Sequence, residues 1–179
     1  MTAPYTSAAS SSIVSRMRRA AMLDGSLYRE VEHDTSATGQ AAVVVALTAV
    51  AAAIGQVWRG GPGLFTALVG TLVGWAVWSG IAYLVGTRLF NGQATWGEVA
   101  RTLGFAQTPA LLLAAAIVPG LGLLSAIVVA IWTAVTGWVA LREALDLDVG
   151  KTLLTVLLGW AALQVAQSLL PRLFGVPVY

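Results

Sequence analysis

One uncharged stretch, Leu103 to Leu141, most constrains what this chain can fold into. It consists of two long apolar arms separated by the short segment Pro119 to Gly122. A helix rises about 1.5 Å per residue, so each arm comes close to crossing a hydrocarbon core about 30 Å thick. The stretch therefore predicts a hairpin of two transmembrane helices.

The composition of the whole chain indicates the same class. Hydrophobic residues make up 58% and charged residues 10%, with a mean hydropathy of +0.80, whereas soluble domains carry roughly 25% charged residues. We expect an all-α integral membrane protein, a five-span transmembrane helix bundle preceded by short interfacial amphipathic helices. Because cysteine is absent, disulfides, thiolate metal ligands and cysteine nucleophiles are excluded.

The predicted division of the chain follows the apolar runs. Residues 1–12 are expected to form a flexible tail, 13–36 cytoplasmic juxtamembrane helices, 37–171 the transmembrane domain, and 172–179 a second tail. The five spans are predicted at about 37–57, 64–87, 99–118, 122–141 and 151–170. No cleaved secretory signal is expected, because only a short apolar segment follows the first arginines.

A dense polar block, Asp24 to Asp34, lies directly before the first span and holds half of the chain's acids and its only histidine. We interpret it as an acidic face that meets a basic partner, while the preceding arginines are attracted to anionic lipid. The alternative is a metal site, which the spacing disfavours because Glu32 points away from Glu30 on a helix. The candidate interaction residues are Tyr28, taken to be exposed, Glu30, Glu32, His33 and Asp34.

The second span contains Gly70 and Gly74 at the spacing of a GxxxG motif. Small residues at this spacing let a neighbouring helix approach closely. We expect them to pack inside the bundle, with a dimer face as the alternative.

The third span shows a start signal and a break. Thr95 and Glu98 have the spacing of a capping box, which predicts that the helix begins in the preceding loop. Farther along, Pro109 removes a backbone donor and frees the carbonyl of Phe105, which must be satisfied inside a membrane. We expect a kink in which Gln107 or Thr108 satisfies that carbonyl, with a small-molecule or ion site as the alternative.

The distribution of charges bears on both function and orientation. The predicted spans carry no ionisable residue at membrane depth, which disfavours an ion pump or a proton-coupled transporter. With one histidine and acids confined to the membrane surface, we expect no enzyme and no cofactor. Basic residues fall mainly in segments on the side of the N-terminus, so that terminus is predicted to be cytoplasmic and the C-terminus outside. Asp148 is predicted to cap the fifth span.

Two motifs resemble a known family. The block Glu30 to Asp34 that continues into the first span, and the segment Leu103 to Pro109, resemble those of bacterial members of the Yip family, which are similar to the eukaryotic Ypt/Rab-interacting proteins. The resemblance covers about Met22 to Leu170 and includes a glycine-aromatic-alanine-x-x-proline entry into the third span. Eukaryotic relatives are associated with small GTPases and vesicle trafficking. The resemblance therefore implies a non-enzymatic protein of the bacterial inner membrane that acts through protein contacts or membrane organisation.

Two other functions fit the sequence. The chain has the features of an accessory subunit of a larger respiratory or photosynthetic membrane complex, because its tryptophans and glycine-lined faces suit helix packing. A small solute channel would need a polar path through Gln107, Gln164 and Gln167. The expected partners are membrane lipids and either other membrane proteins or a second copy of the chain, and no nucleic acid.

Overall fold

The structure, a computed structural model, describes residues 12–57 and 64–173, without the side chains of 66–67 and 162–173. Within these ranges every regular element is a helix. The predicted tails lie almost entirely outside the described residues. The elements are α1 (Ile13–Ala21), α2 (Gly25–His33), α3 (Ala37–Gly55), α4 (Leu64–Phe90), α5 (Trp96–Ala106), the 3₁₀ segment η1 (Thr108–Ile117), α6 (Gly122–Leu145) and α7 (Val149–Leu173).

Four segments of the described chain are long and apolar enough to cross a membrane. They are Ala37–Gly55, Leu68–Phe90, Trp96–Ile117 and Gly122–Leu145. Helix α7 is 25 residues long, and the part of it with described side chains, Val149–Ala161, is apolar but shorter than a span. The fold is thus an all-helical, multi-span membrane bundle, and the count of five spans stays a prediction.

Local signals in the sequence explain where two helices begin. At Thr95 the predicted capping box is confirmed, because the Glu98 N–H donates to Thr95 Oγ1 at 3.4 Å and the Thr95 N–H donates to Glu98 Oε2 at 2.6 Å. The helix accordingly starts at Trp96. At the start of α7 the Asp148 carboxylate accepts the Lys151 N–H at 2.9 Å, which confirms the predicted cap.

The third span, α5 followed by η1, lies at the centre of the bundle and is the most buried of the four candidate spans. It packs against α3, α6 and α4, and the two short N-terminal helices contact it as well. Two glycines permit close approaches between the third span and α3. A Cβ on Gly104 would lie 2.7 Å from the Cβ of Ala41, and one on Gly55 would lie 2.1 Å from the carbonyl oxygen of Leu113.

The close helix contact predicted at the GxxxG motif is found at other glycines in the described residues. A Cβ on Gly70 or Gly74 would meet no atom of the described residues within 4 Å, so packing of the described bundle does not require glycine at either position. Close packing instead uses Gly104 and Gly55, whose small neighbours four residues before are Ala100 and Ala51, not a second glycine.

Candidate functional site

Helices α1 and α2, here called the juxtamembrane hairpin (Ile13–His33), carry most of the candidate residues. The turn between them includes Leu23, whose φ of 63° places it in the left-handed region. Helix α1 begins at the cap Ser12, whose hydroxyl accepts the Ser15 N–H, and α2 begins at the cap Asp24. These local signals fold the segment into two helices before the first span.

Arg16 joins the two helices of the hairpin to the first span. Its side chain is 5% exposed and donates to Glu30 Oε1 at 3.0 Å, to Asp34 Oδ2 at 2.7 Å and to Gln40 Oε1 at 3.0 Å. One guanidinium therefore bonds α2, the residue that follows α2, and the first turn of α3. Such charge-assisted bonds fix the geometry of the elements they connect.

Arg19 extends the same network toward the turn. It donates to Asp24 Oδ2 at 2.8 Å and to Glu30 Oε2 at 2.5 Å. Hydrogen bonds from Ser26 and Arg19 lower the pKa of Asp24 to about 2, and bonds from Ser36 and Arg16 lower the pKa of Asp34. Both acids are therefore ionised near neutral pH.

These contacts correct the sequence-based interpretation of the hairpin. Glu30 and Asp34 do not present a free acidic face, because the arginines expected to contact lipid bind them instead. The prediction that Tyr28 is exposed was wrong as well. Tyr28 is fully buried, and its hydroxyl donates to the Ala20 carbonyl at 3.2 Å. Burial raises the pKa of this hydroxyl.

The other two candidates differ in their surroundings. Glu32 is 7% exposed, whereas His33 is exposed, with Nδ1 3.0 Å from the Arg29 carbonyl oxygen. No group of three histidine, aspartate or glutamate side chains suited to a metal ion occurs in the described part of the chain.

The juxtamembrane hairpin docks on the ends of α5 and α6. Leu27, Tyr28 and Val31 are fully buried in this contact. Arg101 of α5 donates from Nε to the Val31 carbonyl at 2.9 Å and from Nη2 to the Glu32 carbonyl. These carbonyls belong to the last turn of α2 and have no donor within the helix, so the buried guanidinium acts as its C-terminal cap.

Two contacts on α6 hold the other parts of the juxtamembrane hairpin. Arg29 forms an ion pair with Glu143, and Trp132 Nε1 donates to the Ala21 carbonyl at 2.8 Å. The Trp132 contact places the end of α1 beside the middle of a candidate span.

The break in the third span is satisfied by two threonines. Thr108 Oγ1 donates to the Phe105 carbonyl, the group that Pro109 frees, at 2.7 Å. Thr136 of α6 donates to the Ala106 carbonyl at 2.7 Å. The backbone continues beyond Gln107 as the 3₁₀ segment η1.

Gln107 itself is half-buried and faces a cavity of about 330 Å³. The cavity is mostly aromatic and contains few polar groups. Its other lining residues are Thr71, Gly74, Trp75, Trp78 and Trp160.

A family model describes most of this architecture. The model of the Yip1 domain matches residues 25–170. The chain belongs to the Yip1-domain family. The match begins at Gly25, the first residue of α2, so the family domain includes α2 and its docking contacts, whereas α1 precedes it. No curated protein and no solved structure matches this Yip1-domain protein.

Sequence reasoning missed two functional side chains of this Yip1-domain protein. Arg101 is 69 positions from Glu32, whose carbonyl it binds, and Thr136 is 30 positions from Ala106. The signal available for Arg101 was a lone arginine on the buried face of a helix, three residues after the capping-box Glu98. A buried arginine needs partners, but the sequence does not name backbone carbonyls as those partners.

Proposed function

We propose that this Yip1-domain protein is a non-enzymatic, five-span protein of the bacterial inner membrane that organises the bilayer by holding the juxtamembrane hairpin in one leaflet. The N-terminus is on the cytoplasmic side and the C-terminus outside. The observation that carries the proposal is the hydrogen bond from Trp132 to the Ala21 carbonyl.

This bond determines how far the hairpin extends along the bundle. Trp132 lies thirteen residues before Leu145, the end of α6, which is about 20 Å along a helix at 1.5 Å per residue. The end of α1 is therefore beside the apolar part of α6, well inside the end of that helix. Helix α1 also contacts η1, which belongs to the third span.

The charges of the hairpin are compatible with that depth. Arg16 and Arg19 bind Asp24, Glu30 and Asp34, so these groups enter the headgroup region as paired charges. Pairing lowers the cost of removing them from water.

The outer surface of the hairpin carries three apolar side chains among polar ones. Val14 is 70% exposed and Met22 66% exposed, and Leu23 is also exposed. An amphipathic segment with such a face inserts at the boundary between headgroups and acyl chains. Inserted on one side alone, it expands one leaflet relative to the other and favours a curved bilayer.

Reconstitution into vesicles tests this function. The full-length protein is expected to shift vesicles of neutral lipid to smaller diameters, as measured by electron cryomicroscopy. Val14→Gln with Met22→Gln should weaken that shift at equal protein content, because an amide on each outer position opposes insertion. Ser15→Gln, at an exposed polar position of the same helix, is the matched control. Equal diameters for the wild type, the double variant and protein-free vesicles would contradict the proposal.

Cysteine labelling tests the five spans and the orientation in the cysteine-free chain. Single cysteines at Ser12 and Val178 should react with an impermeant maleimide from opposite sides of the membrane, with Ser12 reacting only from the cytoplasmic side. Labelling of both from the same side would exclude an odd number of spans.

The open face of α4 favours a second function, assembly with another membrane helix. Gly70 is exposed and Gly74 borders the cavity beside Gln107; a Cβ added at either would meet no described atom within 4 Å, and Val73 between them is exposed. Small residues on an open helix face suit association in lipid. Native purification distinguishes the two functions, because a subunit of a complex co-purifies with its partners in fixed proportion and a protein that acts alone does not.

A further inference from the structure

The side chain of Gln107 is not used by the break that it borders. Thr108 satisfies the Phe105 carbonyl, and the Gln107 amide makes no hydrogen bond with any described residue. No fully buried side-chain nitrogen or oxygen of the described residues lacks a partner, so this amide is accessible, and the surface it helps to form is the cavity of about 330 Å³. An unpartnered polar group inside a membrane is costly and marks a candidate binding site.

The cavity lies near the middle of the bundle's apolar depth. Gln107 is at the midpoint of the 22-residue span Trp96–Ile117, and Trp78 is near the midpoint of Leu68–Phe90. A lipid headgroup stays outside a hydrocarbon core about 30 Å thick. One wall of the cavity, the side chain of Trp160, is 58% exposed. The cavity is therefore reached from the side of the bundle, by molecules that dissolve in hydrocarbon.

Indole rings give the cavity its shape. Three of its six described lining residues are tryptophans, two from α4 and one from α7. Its volume is at the lower end of the range of about 300 to 1,000 Å³ that is typical of ligand pockets. Flat conjugated rings pack on indoles in offset stacks or edge to face. The cavity thus suits one small ring system better than a flexible chain.

The polar groups around the cavity offer more donors than acceptors. The Gln107 amide supplies an NH₂ group and one carbonyl oxygen. The indole N–H groups of Trp78 and Trp160 bind no described residue, whereas that of Trp75 donates to the Ala100 carbonyl at 2.9 Å. A ligand that complements these groups carries an oxygen acceptor.

Two other kinds of occupant fit the cavity less well. A cation is attracted to indole faces, but none of the described lining residues is acidic, so its charge would be unpaired at membrane depth. A bare acyl chain carries no acceptor and would leave the Gln107 amide without a partner.

We propose that this cavity binds the carbonyl-bearing ring of a neutral, lipid-soluble molecule, which is the chemistry of a membrane quinone. The Gln107 amide donates to a ring carbonyl, and the indoles of Trp75, Trp78 and Trp160 pack against the ring. The apolar tail of the ligand leaves past Trp160 into the lipid. This binding does not depend on the effect of the juxtamembrane hairpin on bilayer shape.

Thermal unfolding of the full-length protein in detergent tests the site. The probe is decylubiquinone, whose ring carries carbonyl groups and an alkyl tail. The Tm of the wild type should rise with probe concentration, because a ligand that binds the folded state stabilises it. Decylbenzene, with the same tail and a ring without oxygen, should give a smaller rise. Gln107→Leu should lower the affinity for decylubiquinone about tenfold, the effect of one lost hydrogen bond.

Two glycines of α4 supply a matched pair of variants. Gly74 lines the cavity, and a Cβ there would meet no described atom within 4 Å, so Gly74→Leu should fill the site and abolish the rise in Tm. Gly70→Leu, one turn earlier at an exposed position that is equally open, should keep it. A helix that packed on the open face of α4 would be displaced by both variants, whereas the ring is displaced by Gly74→Leu alone.

The same measurements can overturn the proposal. A wild-type Tm that does not respond to decylubiquinone would exclude it. Equal rises with decylbenzene would show an apolar groove that does not recognise the carbonyl. A rise that persists in Gly74→Leu, or that is lost equally in Gly70→Leu, would place the binding elsewhere. If Gly74→Leu does not fold, an unchanged affinity in Gln107→Leu is sufficient to reject the site.

Discussion

The juxtamembrane hairpin and the break in the third span satisfy their polar groups in different ways. In the hairpin, two arginines bind three acids. The two acids that Arg16 binds lie 14 and 18 positions away from it in sequence. In the break, the neutral hydroxyls of Thr108 and Thr136 bind single backbone carbonyls. Long charged side chains thus serve the partly solvated region, and short hydroxyls serve the buried one, where an unpaired charge would be most costly.

This comparison has energetic consequences. Removing Arg16 leaves Asp34 without its ion pair and Glu30 with one arginine in place of two, so the loss exceeds that of one bond. Removing one threonine hydroxyl leaves one carbonyl unpaired. Stability should therefore depend more on the hairpin than on the break.

The largest effect is expected for Arg16→Met. It should lower the free energy of unfolding by roughly 2 to 3 kcal/mol, below the 3 to 5 kcal/mol of a fully buried pair, because Glu30 and Asp34 are about one third exposed. Thermal unfolding in detergent measures the change. Arg18→Met, at an exposed position of the same helix, is the control and should change stability by less than about 0.5 kcal/mol. Equal effects of the two variants would show that the ion pairs do not stabilise the hairpin.

A smaller effect is expected for Thr136→Val. Loss of the bond to the Ala106 carbonyl should cost about 1 kcal/mol, as found for hydrogen bonds between membrane helices. Thr133→Val is the matched control, because the Thr133 hydroxyl bonds only the Val129 carbonyl of its own helix. Thermal unfolding of both variants measures the difference in stability. If Thr133→Val lost as much stability as Thr136→Val, the loss could not be assigned to the bond at the break.

Local signals made much of the fold predictable. The capping box at Thr95, the cap at Asp148 and the hydroxyl at Thr108 each act within four residues, and sequence spacing is sufficient to identify them. The hydropathy of the apolar helices and the family resemblance were equally informative, because membrane helices must be long and apolar.

Contacts between distant segments were not predictable. Arg16 was equally suited to bind lipid phosphate or Glu30, and only the packing of α1 on α2 selects the second. Helical periodicity of α2 does not show which of its faces the ends of α5 and α6 cover, so Tyr28 was assigned to the wrong side. The GxxxG spacing likewise says that an approach is possible, whereas Gly104 and Gly55 show where it occurs.

The 3₁₀ form of η1 also changes the length of the third span. Ten residues of 3₁₀ helix extend about 20 Å, against about 15 Å for an α-helix of the same length. The segment Thr108–Ile117 thus carries the span about 5 Å farther across the bilayer than the residue count alone would give. A 3₁₀ helix is also narrower than an α-helix, which leaves room for the Gly55 backbone of α3 against Leu113. A thicker bilayer can therefore be crossed at the centre of the bundle without a longer sequence.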